Sequence, residues 1–169
     1  MPFEGDAPTD FADGLRIRRF EDALAADFAR INTQWIEEMY AMEPADVDLV
    51  TRPRELIVDP GGDILFVEHP RLGIIGTCGL MKAGERTFEL IKMGVSPEAR
   101  GSGAGMLLLT AMLARAHQQG FERLFLLTNS KSAGAIRLYE RVGFVHDAGV
   151  MEEFGDEYAR CDVAMLWRE

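Results

Sequence analysis

The chain has 169 residues, 47% of them apolar, and 18 Lys and Arg against 28 Asp and Glu give it a formal charge of −10. That length suits one compact domain with one core, and that charge argues against nucleic acid or an anionic membrane as a partner. With 17 Gly and 7 Pro the composition is too ordinary for a disordered or repetitive chain.

Residues 1–13 are acidic and lack the cationic start and apolar stretch of a secretory leader, so they read as a flexible tail ahead of a single domain over 14–169. Leu15 to Phe20 alternates apolar with basic residues and predicts a first strand. From Glu21 to Tyr40, Leu24, Phe28, Ile31, Trp35 and Met39 recur every three or four residues along one helical face, and Asn32 and Thr33 divide the stretch into two helices. A polar segment follows to Pro60, with Arg54 to Val58 as a short helical turn and Asp59-Pro-Gly-Gly62 as a stop.

Ile64 to Glu68 and Ile74 to Met81, joined through His69 to Gly73, predict an antiparallel hairpin, with Thr87 to Val95 pairing beside it. After a glycine-rich turn come a helix from Met106 to Gln119 halted by Gly120, a buried strand from Phe121 to Thr128, and an amphipathic helix from Ser132 to Val142 ended by Gly143. A strand from Phe144 to Val150 follows, and Asp162 to Trp167 closes the sheet. The class is mixed α/β, an antiparallel meander followed by a parallel crossover. Cys78 and Cys161 form no CxxC pair and read as buried thiols; with no histidine at ligand spacing, no metal is expected, and a reducing, cytoplasmic setting is.

Arg100-Gly-Ser-Gly-Ala-Gly105 lies between a strand and a helix, where glycines bring backbone close to a ligand and leave free amides at a helix N-terminus. A triphosphate loop would need Lys and then Ser or Thr after the last glycine, where Met106 and Leu107 stand. A dinucleotide loop needs G-x-G-x-x-G, but Gly105 arrives one residue early, and the next strand ends in Thr128 and Asn129 without an acidic residue for a ribose. The pyrophosphate of coenzyme A and a purely structural tight turn are the readings that remain.

Val95-Ser-Pro-Glu-Ala-Arg-Gly-Ser-Gly-Ala-Gly105 resembles the principal acetyl-CoA motif of the GNAT superfamily, matched at Arg100, Gly103 and Gly105. Asn129, followed by Ala135-Ile-Arg-Leu-Tyr-Glu-Arg-Val-Gly-Phe144, resembles its second cofactor motif, and the resemblance runs from about Leu15 to Trp167. It implies a central mixed sheet whose two parallel strands splay to admit the pantetheine arm, with Met93 and Val95 pairing to that arm. The amides of Arg100, Gly101, Ser102, Gly103, Ala104, Gly105 and Met106 would hold the pyrophosphate, and Asn129 and Ala135 would complete the cofactor site.

The implied activity is direct transfer of an acetyl group from acetyl-CoA to a primary amine on a small molecule or peptide, without an acyl-enzyme. The alternative is a coenzyme-binding sensor or interaction module that does no chemistry. Tyr139 stands where the pattern places the acid for the departing thiolate; a tyrosine that only buries its ring is the competing account. Glu89 is the candidate base: it precedes Met93 by four residues, and alternation puts the two on one strand face unless a bulge intervenes. Its other reading is a carboxylate paired across the strands. Trp35, Met39, Tyr40 and Glu43 are expected around the acceptor, although such spacing also suits plain core. Trp35, Glu43-Pro44, Gly61-Gly62 and Tyr158-Ala-Arg160 together resemble a bacterial subgroup of the superfamily whose acceptor is open. A second copy of the chain is admitted as a partner.

Overall fold

A computed structural model describes residues 9–10 and 14–169. The expected tail lies outside the described residues except for a short strand β1 (Thr9–Asp10), which pairs antiparallel with β2 (Arg16–Arg19). A turn of 3-10 helix leads into α1 (Ala25–Met39), which is unbroken. The division expected at Asn32 does not occur, because that buried side chain is satisfied within its own helix: its amide donates to Phe28 O at 2.9 Å and its oxygen accepts from Trp35 Nε1 at 2.8 Å. A helix that the sequence reading did not anticipate, α2 (Pro44–Thr51), follows at once, and Arg54–Val58 forms a single π-helical turn.

Three long strands come next, β3 (Asp63–His69), β4 (Gly73–Gly84) and β5 (Thr87–Val95), then α3 (Ala104–Gln118), β6 (Arg123–Thr128) and α4 (Ala133–Val142). The strand expected over 144–150 is only β7 (Phe144–His146). Asp147 then caps a further helix, α5 (Ala148–Phe154), by accepting from Val150 N at 2.8 Å. That side-chain bond satisfies one of the free amides of a helix start and so turns the chain away from the sheet. The last strand is β8 (Val163–Trp167).

The eight strands order as β1-β2-β3-β4-β5-β6-β8-β7. Pairing is antiparallel from β1 to β5, parallel between β5 and β6, and antiparallel again through β8 to β7. β8 inserts between β6 and β7 and is antiparallel to both, so β6 and β7 run in the same direction without pairing directly.

Alternation along β3 builds a core on each face of the sheet. Leu65 and Val67 join Leu108, Leu109 and Met112 of α3 on one face, while Ile64 and Phe66 join Phe28 of α1 and Ile57 on the other. All of these side chains are fully buried, and each such aliphatic or aromatic side chain contributes roughly 1.5–3 kcal/mol on leaving water.

Candidate active site

The parallel pair β5–β6 holds together only from Thr87 opposite Arg123 to Leu90 opposite Leu126. Beyond that point β5 stays with β4, where Gly94 faces Thr77 and Val95 faces Gly76, and β6 stays with β8, where Leu127 faces Ala164 and Thr128 faces Val163. The two strands part, and a cavity of about 700 Å3 occupies the gap.

One wall of the cavity is the glycine-rich turn. Gly101 and Gly103 have φ of +84° and +87°, in the left-handed region that favours glycine, and a Cβ built on either would meet nothing within 4 Å. Gly103 occupies the N-cap of α3 and supplies no side-chain cap, so the first turn presents its amides outward. Ser102 does not line the cavity; its hydroxyl accepts from Ala104 N at 3.3 Å and tightens the turn. Gly105 serves packing: a Cβ there would come 3.1 Å from Leu138 of α4. Arg100, Gly101, Gly103, Ala104, Gly105 and Met106 all line the cavity, Arg100 while paired with Glu38 at 3.1 Å.

Met93, Val95, Asn129, Ala135 and Tyr139 line it as well. Asn129 is partly committed: its oxygen accepts from Lys131 N at 2.9 Å and its amide donates to Arg160 O at 2.7 Å. The Tyr139 ring meets Phe144 edge-on with centroids 5.9 Å apart, and among the described residues its hydroxyl makes no hydrogen bond. Burial, and secondarily the neighbouring Cys78, pushes its phenol well above the ordinary value, so it stays protonated at neutral pH.

Glu89 also lines the cavity, but not as simple alternation predicts. Ile91 faces Gly79 while Gly94 faces Thr77, so Lys92 and Met93 together stand opposite Cys78: a β-bulge, with Lys92 at φ +50°. The extra residue turns Met93 and Val95 to the α3 face, beside Phe88 and Leu90, whereas Ile91 packs on the α1 face. Glu89, two residues before Ile91, therefore lies on the opposite sheet face from Met93, and the expectation of a shared face is corrected. Glu89 is 2% exposed, and burial, reinforced by the charge and hydrogen bond of Glu157 and opposed by Lys92, raises its carboxyl well above the usual range.

The α1 side of the cavity carries Trp35, Met39 and Tyr40. Trp35 lies against Gly94 so closely that a Cβ there would come within 2.3 Å of its ring. Tyr40 shares a hydrogen bond of 2.8 Å with Ser132. Glu43 is not part of the lining. It is the N-cap of α2, and its carboxylate accepts from Ala159 N at 2.8 Å and Arg160 N at 3.3 Å, fastening the segment before β8.

That segment brings in residues whose contribution alternation did not reveal. Tyr158 and Arg160 line the cavity, and Asp46, fully buried beneath them, joins the Lys92 ammonium at 2.5 Å to the Arg160 guanidinium at 2.6 and 2.7 Å. Burial opposes ionisation of Asp46, but Arg160 and Lys92 outweigh it and hold the carboxyl at about 2. Burial lowers the Lys92 ammonium, against the pull of Asp46, and raises the Tyr158 phenol, with Glu89 adding to the rise. The Tyr158-Ala-Arg160 and Glu43-Pro44 pairs were the visible signals of this cluster. Cys78 is buried as expected, but Cys161 is only half-buried and borders the cavity. No group of His, Cys, Asp and Glu suited to a metal ion occurs among the described residues, and no helix among them is long and apolar enough to cross a membrane.

The model of the Acetyltransferase (GNAT) family matches residues 24–144. A mycothiol acetyltransferase of Thermobispora bispora is 39% identical over 148 residues, covering 80% of this chain and 48% of that protein. The mycothiol acetyltransferase of Actinosynnema mirum is 30% identical over 136 residues, covering 78% and 45%. The chain thus spans about half the length of these relatives. In fold, it matches a GNAT-family acetyltransferase of Staphylococcus aureus Mu50 with a TM-score of 0.81 at 17% identity, covering 90% of this chain and 98% of that one.

Proposed function

The chain belongs to the GNAT acetyltransferase family, and from that membership we propose that it transfers an acetyl group from acetyl-CoA to a primary amine of a small molecule or peptide. The observation that carries this reading is the parting of β5 from β6 beside a glycine turn whose Cβ positions open onto free space. The fit to coenzyme A is specific in kind. The outward amides at the start of α3 suit a pyrophosphate, and the helix dipole adds about 0.3–1 kcal/mol. The unpaired edge of β5 suits an amide-bearing arm.

Acetyl-CoA, when bound, supplies the acyl group as an activated thioester. The side chains have the remaining tasks. An alkyl amine is mostly protonated at neutral pH, and freeing it costs roughly 4–5 kcal/mol, so a base must stand near the acceptor. Glu89, whose carboxyl burial raises well above the ordinary glutamate range, takes that proton. Tyr139, protonated and without a hydrogen-bond partner among the described residues, delivers a proton to the sulfur. A main-chain amide on β5, that of Met93 or Val95, would donate to the thioester carbonyl oxygen when the coenzyme is bound. Trp35, Met39 and Tyr40 shape the acceptor side.

Incubating the protein with acetyl-CoA and a pooled amine library that includes the acceptor of the mycothiol acetyltransferases should yield an acetylated product detected by mass spectrometry. Binding of acetyl-CoA by calorimetry with no product from any amine would instead favour a coenzyme sensor. Glu89→Gln carries a signed expectation. A base works deprotonated, so the parent rate falls as pH drops through the raised pKa of Glu89. The Gln variant should lose that limb of the kcat/KM profile, and an unaltered profile would remove Glu89 from the mechanism.

A further inference from the structure

Lys92 sits in a conformation, φ +50°, that residues other than glycine rarely adopt, and something must hold it there. Its side chain is the evident tether. The ammonium donates to Asp46 at 2.5 Å and to the Tyr158 hydroxyl at 3.1 Å, and it stands 4.6 Å from the centre of the Tyr158 ring. Those anchors are themselves fixed. Asp46 accepts two bonds from Arg160 and one from Glu43 N at 2.9 Å, and the Arg160 guanidinium lies 4.7 Å from the Tyr158 ring centre. A buried ammonium thus clamps the bulge of β5 to α2 and to the segment ahead of β8.

The clamp has a consequence for main-chain direction. Without the extra residue, Met93 and Val95 would turn to the face of Glu89, and their amides would reverse with them. The geometry points to Lys92 as a positioning residue: its contacts with Asp46 and Tyr158 keep the β5 bulge in place, and the bulge keeps the Met93 and Val95 backbone aimed into the cleft. The inference deepens the acetyl-transfer reading and rests on it for its effect on rate. Its effect on backbone order stands apart from that reading.

Two variants of the full chain separate geometry from charge. Lys92→Met removes the ammonium but keeps a side chain that disfavours positive φ; Lys92→Gly removes it and accepts positive φ freely. Asp46 retains Arg160 in both, so neither leaves a bare buried carboxylate. Turnover, acetyl-CoA affinity by calorimetry and amide hydrogen exchange at Met93 by NMR are measured together. Lys92→Met should cut kcat by about tenfold or more, weaken acetyl-CoA binding several-fold and speed exchange at Met93, and Lys92→Gly should regain several-fold of the lost rate and affinity. Unchanged exchange and turnover in Lys92→Met would overturn the inference, as would a glycine variant as slow as the methionine one, since that would make the charge itself the requirement. If the parent acetylates no amine, the exchange data decide alone: faster exchange in Lys92→Met, reversed in Lys92→Gly, upholds the clamp, and unchanged exchange refutes it.

Discussion

Tyr139→Phe should lower kcat by roughly ten- to ten-thousandfold while leaving acetyl-CoA affinity nearly unchanged. The substitution removes one oxygen and keeps the ring, so the edge-on contact with Phe144 at 5.9 Å survives and the fold has little reason to respond. The removed hydroxyl has no hydrogen-bond partner among the described residues to leave stranded. Burial holds its proton in place at neutral pH, which is the state an acid needs. Equal steady-state rates for the two proteins would assign Tyr139 to packing alone, and calorimetry on the same samples would show that the cofactor still binds.

Asp46→Ala should cost about 3–5 kcal/mol of stability in urea denaturation, the range seen when one member of a buried ionic cluster is removed. Two cations, Lys92 and Arg160, would lose the carboxylate they share, and α2 would lose the acceptor that bonds Glu43 N. A loss below about 1 kcal/mol would mean that water reaches the cations and the cluster is weakly coupled. The sign with pH follows from the same carboxyl. Held at about 2 when folded, against about 3.9 in an unfolded chain, it contributes fully above about pH 4 and progressively less as pH falls toward 2. Asp46→Asn should therefore flatten the acid limb of stability over that interval and leave the neutral region parallel to the parent.

The second half of the fold was readable because its signals are local. Glycines with positive φ at 101, 103, 120 and 143 bracket helices whose apolar spacing is clear, and the coenzyme motif spans one such boundary. What escaped the reading depends on contacts distant in sequence or on inverted signals. The start of α2 uses Glu43 as cap and Asp46 three residues later, the reverse of the usual short-then-long pairing, so a capped helix looked like a polar loop. Asn32 looked like a helix breaker because its two internal hydrogen bonds cannot be seen in composition. The bulge at Lys92 was invisible for a different reason. A lysine carries no mark of positive φ, and only the meeting of residues 46, 92, 158 and 160 explains why it is tolerated there. Of the residues that the family resemblance put around the acceptor, Trp35, Met39 and Tyr40 line the cavity, while Glu43 does not, because its carboxylate serves the backbone of residues 159 and 160.

The short contact between β5 and β6, four residue pairs long, makes this one sheet into two panels hinged along a single seam. Strand margins with unspent donors and acceptors ordinarily invite another copy of the chain to stack on them. Here the bare margins face one another across the cavity, with Trp35 packed on Gly94 and Leu138 of α4 beside Gly105. A slender, extended guest with amides of its own would match the groups such a seam leaves unspent, and by pairing with both sides it would knit the panels into a continuous fabric.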